Sequence, residues 1–265
     1  MPTLMRLHTY LHANARVRAR DVVQLGIVTL YRSTATDPCD NVVLANEDDP
    51  SRLAGPLAQA RASVQERGGR VHVRLIKEMF PQLSPALTSL GFREVEREPL
   101  LICTPEMLRP ARNAPDLTVA TLTRESPLRD IQQELDINER GFDPGFSGSA
   151  TAEQAERFRS TLDSTRAFTA YLNGEAVAAG MFHTPLGGVT QLSGIATLAA
   201  FRERGIATAL TTFMTQSAFD AGVDLVYLAA ATGTAQRVYE RIGYRQAGTL
   251  IRYDDTLTNV PPSND

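Results

Sequence analysis

Residues 195–207 read Ile-Ala-Thr-Leu-Ala-Ala-Phe-Arg-Glu-Arg-Gly-Ile-Ala, and a long helical pattern follows at once. An apolar strand-like run thus enters a helix through a turn that holds two arginines and one glycine. This junction sets an α/β arrangement and limits the possible folds more than any other segment. The first amide groups of a helix have no internal partner and carry partial positive charge, so a turn that exposes them is a ready anion site. Gly205 lets the backbone approach such an anion closely, and the small Ala207 keeps a second approach open. The bare pattern Gln/Arg-x-x-Gly-x-Gly/Ala turns up about once per thousand positions at ordinary residue frequencies, so its context carries the weight. That context is a strand before it and an amphipathic helix after it, with Ile206, Leu210, Phe213, Met214 and Ala218 on one face.

The rest of the chain divides around a proline-rich stretch. At 265 residues two domains are the natural expectation. Residues 104–116 hold Pro105, Pro110 and Pro115 among polar neighbours and form the best linker candidate. The expected division is therefore 1–104, a linker at 105–116, a second domain at 117–255 and a tail at 256–265. In the first half the patterns predict a helix over 4–24, strands at 26–31 and 41–46, and a helix opened by Asp49-Pro50-Ser51 and closed near Gly68-Gly69. A strand at 71–76, a short helix at 82–90 and a strand at 99–103 complete it. In the second half they predict a strand at 117–122, helices at 126–140 and 152–162, and strands at 167–173 and 176–183 around the hairpin signal Asn173-Gly174. A strand at 190–198, a helix at 205–221, a strand at 225–230, a helix at 234–242 and a strand at 248–253 follow. Leu90-Gly91-Phe92-Arg93 occupies the place that Ile242-Gly243-Tyr244-Arg245 takes in the second half, which points to an internal duplication.

Composition excludes several classes. The net charge is −3 with 22% charged residues, which offers no concentrated basic surface for nucleic acid or a membrane. Arg16, Arg18 and Arg20 read as a solvated helix face. Cys39 and Cys103 are too few and too far apart for a disulfide framework or a thiolate metal site, and read as ordinary thiols. No apolar run reaches the length of a membrane span, and the first twenty residues lack a secretory pattern, so a cytoplasmic protein is expected. His8 and His12 stand at i, i+4 spacing but have no third ligand nearby, so no metal is expected.

Downstream of the Arg-Gly turn lie residues 225–230, then Thr232, Ala235, Tyr239 and Gly243-Tyr244. With these the sequence, over about 117–253, resembles the GNAT family of N-acetyltransferases. The resemblance implies an acyl-CoA N-acyltransferase fold, with a mixed, mostly antiparallel sheet flanked by helices, in two tandem copies. It also implies an acetyl-CoA cosubstrate and direct acetyl transfer to a primary amine of a small molecule or peptide, with no metal. By it, Arg202, Glu203, Arg204, Gly205, Ile206 and Ala207 wrap the pyrophosphate, Ile195, Ala196 and Thr197 offer backbone groups to the pantetheine arm, and Thr232 adds a contact. Tyr239 takes the place of the residue that protonates the departing thiolate, although its stripe with Ala235, Val238 and Ile242 equally suits a core tyrosine. A homodimer is compatible with this reading. Mycothiol synthase shares a tandem arrangement, which does not identify the acceptor.

The chain also departs from the family. Thr232 stands where many members have Asn, and residues 190–198 carry no Asp or Glu to act as a general base. His183 can act directly or through water, against the plainer reading of a surface histidine. Glu134, Asp136, Glu139 and Asp143 flank the expected acceptor loop but read as solvated helix charges. The Gly- and Phe-rich segment 141–148 is either an acceptor-lining loop or a plain surface loop. In the first half the acidic run Glu47-Asp48-Asp49 stands where the second has its Arg-Gly turn, so that half is expected to bind no CoA. A non-catalytic acyl-CoA-binding or sensor module remains the alternative.

Overall fold

The computed structural model describes residues 2–33, 41–65, 69–110, 116–162 and 165–257. Cys39, residues 111–115 of the expected linker and most of the expected tail lie outside them. The first elements are α1 (Thr3–Arg18), β1 (Ala19–Leu25), β2 (Val28–Ser33), β3 (Asn41–Ala45), α2 (Ala54–Gln65), β4 (Val71–Ile76), α3 (Leu83–Ser89) and β5 (Phe92–Cys103). They continue with β6 (Leu117–Leu122), α4 (Leu128–Phe142), α5 (Ala152–Arg159), β7 (Arg166–Leu172), β8 (Glu175–Phe182) and β9 (Val189–Thr197). Last come α6 (Ile206–Asp220), β10 (Leu225–Ala229), α7 (Gly233–Arg241) and β11 (Arg245–Asp255). The chain forms two compact units, one of Met1–Leu100 with Gln246–Asp265 and the other of Leu101–Arg245. No helix among the described residues is long and apolar enough to cross a membrane.

In the first unit the helix expected over 4–24 ends at Arg18, and its last third is strand β1. The β-branched pair Val22 and Val23 favours an extended chain, and Gly26, at φ 53°, supplies the left-handed turn that folds β1 onto β2 from Leu25↔Val28. β3 pairs antiparallel with β2 and parallel with β4. β11 pairs antiparallel with β4, from Leu250↔Ile76 to Asp254↔His72, and buries Ile251 and Tyr253 in a core with Leu30, Val43, Leu57 and Leu87. The last strand therefore packs with the first unit, whereas the sequence division grouped it with the second half. Its end is anchored by Asp255, whose fully buried carboxylate lies 3.0 Å from the Arg61 guanidinium.

The second unit orders its strands β10-β9-β8-β7-β6, with β10 parallel to β9 and the others antiparallel. Asn173 and Gly174 both have positive φ (52° and 81°), the conformation a tight two-residue hairpin needs between β7 and β8. Adjacent residues of β8 assign the flanking helices to opposite faces. A Cβ at Gly180 would lie 2.9 Å from the Met214 sulfur of α6, whereas Met181 packs on the cluster around Ile131 of α4. α6 buries Ile206, Leu210, Met214 and Ala218 at four-residue spacing, while Phe213, expected on the same face, is partly exposed. α7 stops at Gly243, whose φ of 110° and approach to the Met107 carbonyl leave no room for a side chain. Gly91 plays the matching role after α3 at φ 82°, as a duplicated pattern predicts.

Candidate active-site cleft

The cleft begins where two parallel strands part. β9 and β10 pair from Val189↔Leu225 to Gln191↔Tyr227, and from Leu192 onward β9 keeps only its partner β8. The separation leaves backbone groups of β9 without a ladder partner and opens a cavity of about 910 Å³. Gly194, at φ 62°, sits at an irregularity in the β8–β9 register, and such bulges re-aim the strand locally. Asn138 of α4 holds that bend, its side-chain amide donating to the Gly194 carbonyl at 2.6 Å.

A turn joins β9 to α6 at one side of the cavity. A single 3-10 turn (Ala199–Phe201) leads into extended Arg202, then Glu203 and Gly205 adopt positive φ of 65° and 80°. Gly205 caps α6 with no side chain bonded to its first amides, which are left to face the cavity. The Arg202 guanidinium is occupied, donating through Nε to the Thr197 carbonyl (3.1 Å) and through Nη2 to the Gly141 carbonyl (2.6 Å). It therefore ties the end of β9 to the end of α4 and shapes the anion turn. α4 approaches closely there, since a Cβ on Gly141 would lie 2.5 Å from that of Ala196.

The structure brings most of the sequence-selected residues together. Ile195, Ala196, Thr197, Arg202, Glu203, Gly205, Ile206, Ala207, Thr232 and Tyr239 all line the cavity. Arg204 is not among its walls and stacks its guanidinium 5.3 Å from the Phe201 ring centre. The Thr232 hydroxyl is spent as the N-cap of α7, accepting from the Ala235 amide at 3.1 Å. Tyr239 is only 8% exposed, and burial pushes its phenol up to about 12, so it stays protonated near neutrality. Its hydroxyl has no hydrogen-bond partner among the described residues. By contrast Tyr244, also buried, bonds Thr215 at 2.7 Å and is a packing residue.

The residues fit an acyl-CoA cosubstrate on two observations. The Thr197 hydroxyl is buried in the cavity wall without a partner, and the first turn of α6 presents uncapped amides to the same space. No group of three or more His, Cys, Asp or Glu that suits a metal occurs among the described residues. His8 and His12 instead bond each other (3.1 Å), and His12 bonds the Tyr31 hydroxyl at 2.7 Å.

Two features escaped the sequence reading. Glu134, expected as a solvated charge, is fully buried on the sheet-facing stripe Ile131, Glu134, Ile137 and Gly141 of α4. Both its carboxylate oxygens lack partners, and burial raises its carboxyl to about 8. The helical period of that stripe was the available signal. His183, expected at the surface, is half-buried with its Nε2 2.7 Å from the Ser193 hydroxyl. Ser193 lines the cavity where β9 leaves β10, and Phe142 stands exposed (63%) at the same cavity.

Residues 131–244 match the model of the acetyltransferase (GNAT) family. The fold is shared with a GCN5-related N-acetyltransferase from Kribbella flavida, at 22% identity over 98% of each chain with a TM-score of 0.80. A GCN5-related N-acetyltransferase from Sphaerobacter thermophilus aligns at 18% identity over 86% of this chain and 76% of that one, with a TM-score of 0.63. A tandem GNAT protein from the clavulanic acid biosynthesis pathway aligns at 12% identity over 88% and 81%, also with a TM-score of 0.63. A search of curated proteins finds no match.

Proposed function

With a GNAT acetyltransferase domain at residues 131–244 as the premise, we propose that the second unit binds acetyl-CoA and transfers its acetyl group directly to a primary amine of a small molecule or peptide. The observation that carries this reading is one cavity bounded by the parted edge of β9, the uncapped start of α6 and the unbonded hydroxyl of Tyr239. The amides of Gly205, Ile206 and Ala207 hold the pyrophosphate, whose charge suits the helix N-terminus. Arg202 acts by holding that turn through Thr197 and Gly141. The freed backbone and the hydroxyl of Thr197 receive the pantetheine arm, and β9 amides stabilise the oxyanion formed when the amine attacks. Holding both reactants in one cleft supplies much of the rate. Tyr239, kept protonated by burial, gives its proton to the departing thiolate.

The first unit, in this reading, is a degenerate copy that holds no CoA. Its acidic turn is committed to its own structure. Asp49 accepts from the Ser51 amide, Asp48 accepts from the Gln82 amide, and Glu47 pairs with Arg52. The reading describes a cytoplasmic enzyme.

A non-catalytic acyl-CoA-binding or sensor module is the second reading, favoured by the absence of Asp or Glu from β9. Screening primary amines for acetyl-CoA-dependent thiol release separates the two. Release with at least one amine supports the transferase, whereas calorimetric acetyl-CoA binding with no release across the panel supports the sensor.

A further inference from the structure

We infer that Ser193 and His183 form the proton route for the incoming amine, with Ser193 touching the amine and His183 receiving its proton through the serine hydroxyl. The inference rests on the transferase reading above and supplies the base that β9 lacks. Ser193 lines the cavity next to Leu192, on the part of β9 that has left β10, and the relay requires its hydroxyl to meet the incoming amine there. His183 does not line the cavity and stands behind the serine, Nε2 to Oγ at 2.7 Å, within the range for direct proton transfer. The backbone of His183 is fixed to β9 at two points. The His183 amide donates to the Gln191 carbonyl at 2.9 Å, and the Thr190 hydroxyl donates to the His183 carbonyl. Asn138 fixes the neighbouring bend of β9 through Gly194, so the serine is presented from a braced segment.

The step balances. An alkylammonium R–NH3+ passes one proton to Ser193 Oγ as the serine's own proton moves to His183 Nε2, which requires the imidazole tautomer protonated on Nδ1. The products are R–NH2 and imidazolium. The amine nitrogen then forms its bond to the acetyl carbon, and the C–S bond breaks as Tyr239 protonates the thiolate. The second proton on the adduct nitrogen restores the tyrosine, and the imidazolium returns its proton to solvent. One proton is released per turnover, as the overall reaction requires.

The test compares the wild type, His183→Gln, Ser193→Ala and the double variant with two acceptors. One is the best alkylamine from the thiol-release screen, protonated at pH 7, and the other is O-methylhydroxylamine, already neutral at that pH. Each single variant is expected to lose about 10²-fold in kcat/KM with the alkylamine but at most a few-fold with O-methylhydroxylamine. The double variant is expected to fall no further than the singles, because the two residues act as one unit. Calorimetric acetyl-CoA binding equal to wild type shows that each variant is folded. Equal losses with both acceptors, additive losses in the double variant, or no loss at all overturn the relay while leaving the transferase reading intact. No thiol release by the wild type overturns both.

Discussion

The guanidinium of Arg202 donates to the carbonyl of Gly141 at 2.6 Å across 61 residues of sequence, joining the anion turn to the end of α4. The same side chain reaches the Thr197 carbonyl, so one arginine sets the spacing between two walls of the cleft. A planar fork presents Nε and Nη2 to the two carbonyls in fixed geometry, which the single nitrogen of a lysine does not reproduce. Arg202→Lys is expected to weaken acetyl-CoA binding about tenfold and to cost about 1 kcal/mol of stability. Calorimetry and urea midpoints check this, and binding equal to wild type would mean that the tie is dispensable.

Tyr239→Phe keeps the ring that packs near Tyr244, at 6.1 Å between centres, and removes only the hydroxyl and the proton it carries. Turnover is expected to fall by about 10²-fold with acetyl-CoA affinity unchanged. Unchanged turnover would assign the thiolate's proton to another donor.

Glu134 predicts a pH-dependent stability with a definite sign. Its folded carboxyl titrates at about 8, against an ordinary value of 4.5, so the folded chain keeps a proton that the unfolded chain has lost between those values. Stability is full below the ordinary carboxyl range and falls as pH rises through about 8. The loss is on the order of a few kcal/mol, since a tenfold difference in proton affinity is worth about 1.4 kcal/mol. Glu134→Gln should flatten the Tm-against-pH curve between about pH 4.5 and 8 and raise Tm at the alkaline end. An identical slope in the variant would place the titration elsewhere.

The buried pair Arg61–Asp255 holds the last strand in the first unit. Arg61 is 14% exposed, also donates to the Leu90 carbonyl at 2.6 Å, and lies 4.4 Å from the Phe92 ring centre. Removing one partner strands a buried charge, so Arg61→Ala is expected to cost about 3 kcal/mol. The double change Arg61→Met with Asp255→Leu should recover much of that, because apolar replacement of a buried pair is often near neutral. Urea unfolding of the three chains decides, and a single variant as stable as wild type would contradict the anchoring role.

Locally encoded features were legible in the sequence. The hairpin at Asn173-Gly174 and the α6 start at Gly205 both rest on residues that tolerate positive φ, and both lie where the pattern predicts. β1 was hidden because the helical spacing of Leu4, Leu7 and Leu11 runs straight into it with no Gly or Pro between. The partner of β11 depends on a pairing with β4 that no local pattern encodes. The Ser193–His183 contact was equally hidden, since it depends on how β8 and β9 pair around an irregular register. Glu134 differs, because its place on an apolar stripe of α4 was readable while its carboxylate argued for solvent.

One cleft, built on the start of α6, is the proposed seat of acetyl-CoA, and Ala207→Asp probes that placement. A carboxylate in the first turn of a helix favours the helix itself, so the fold should survive, yet it occupies the space assigned to the pyrophosphate and repels it. Titration of the wild type with acetyl-CoA is predicted to show one site per chain, with affinity lowered at least about 100-fold in the variant, a loss of about 2.7 kcal/mol. Two sites per chain, or equal affinity in the two proteins, would refute a single cleft at this turn.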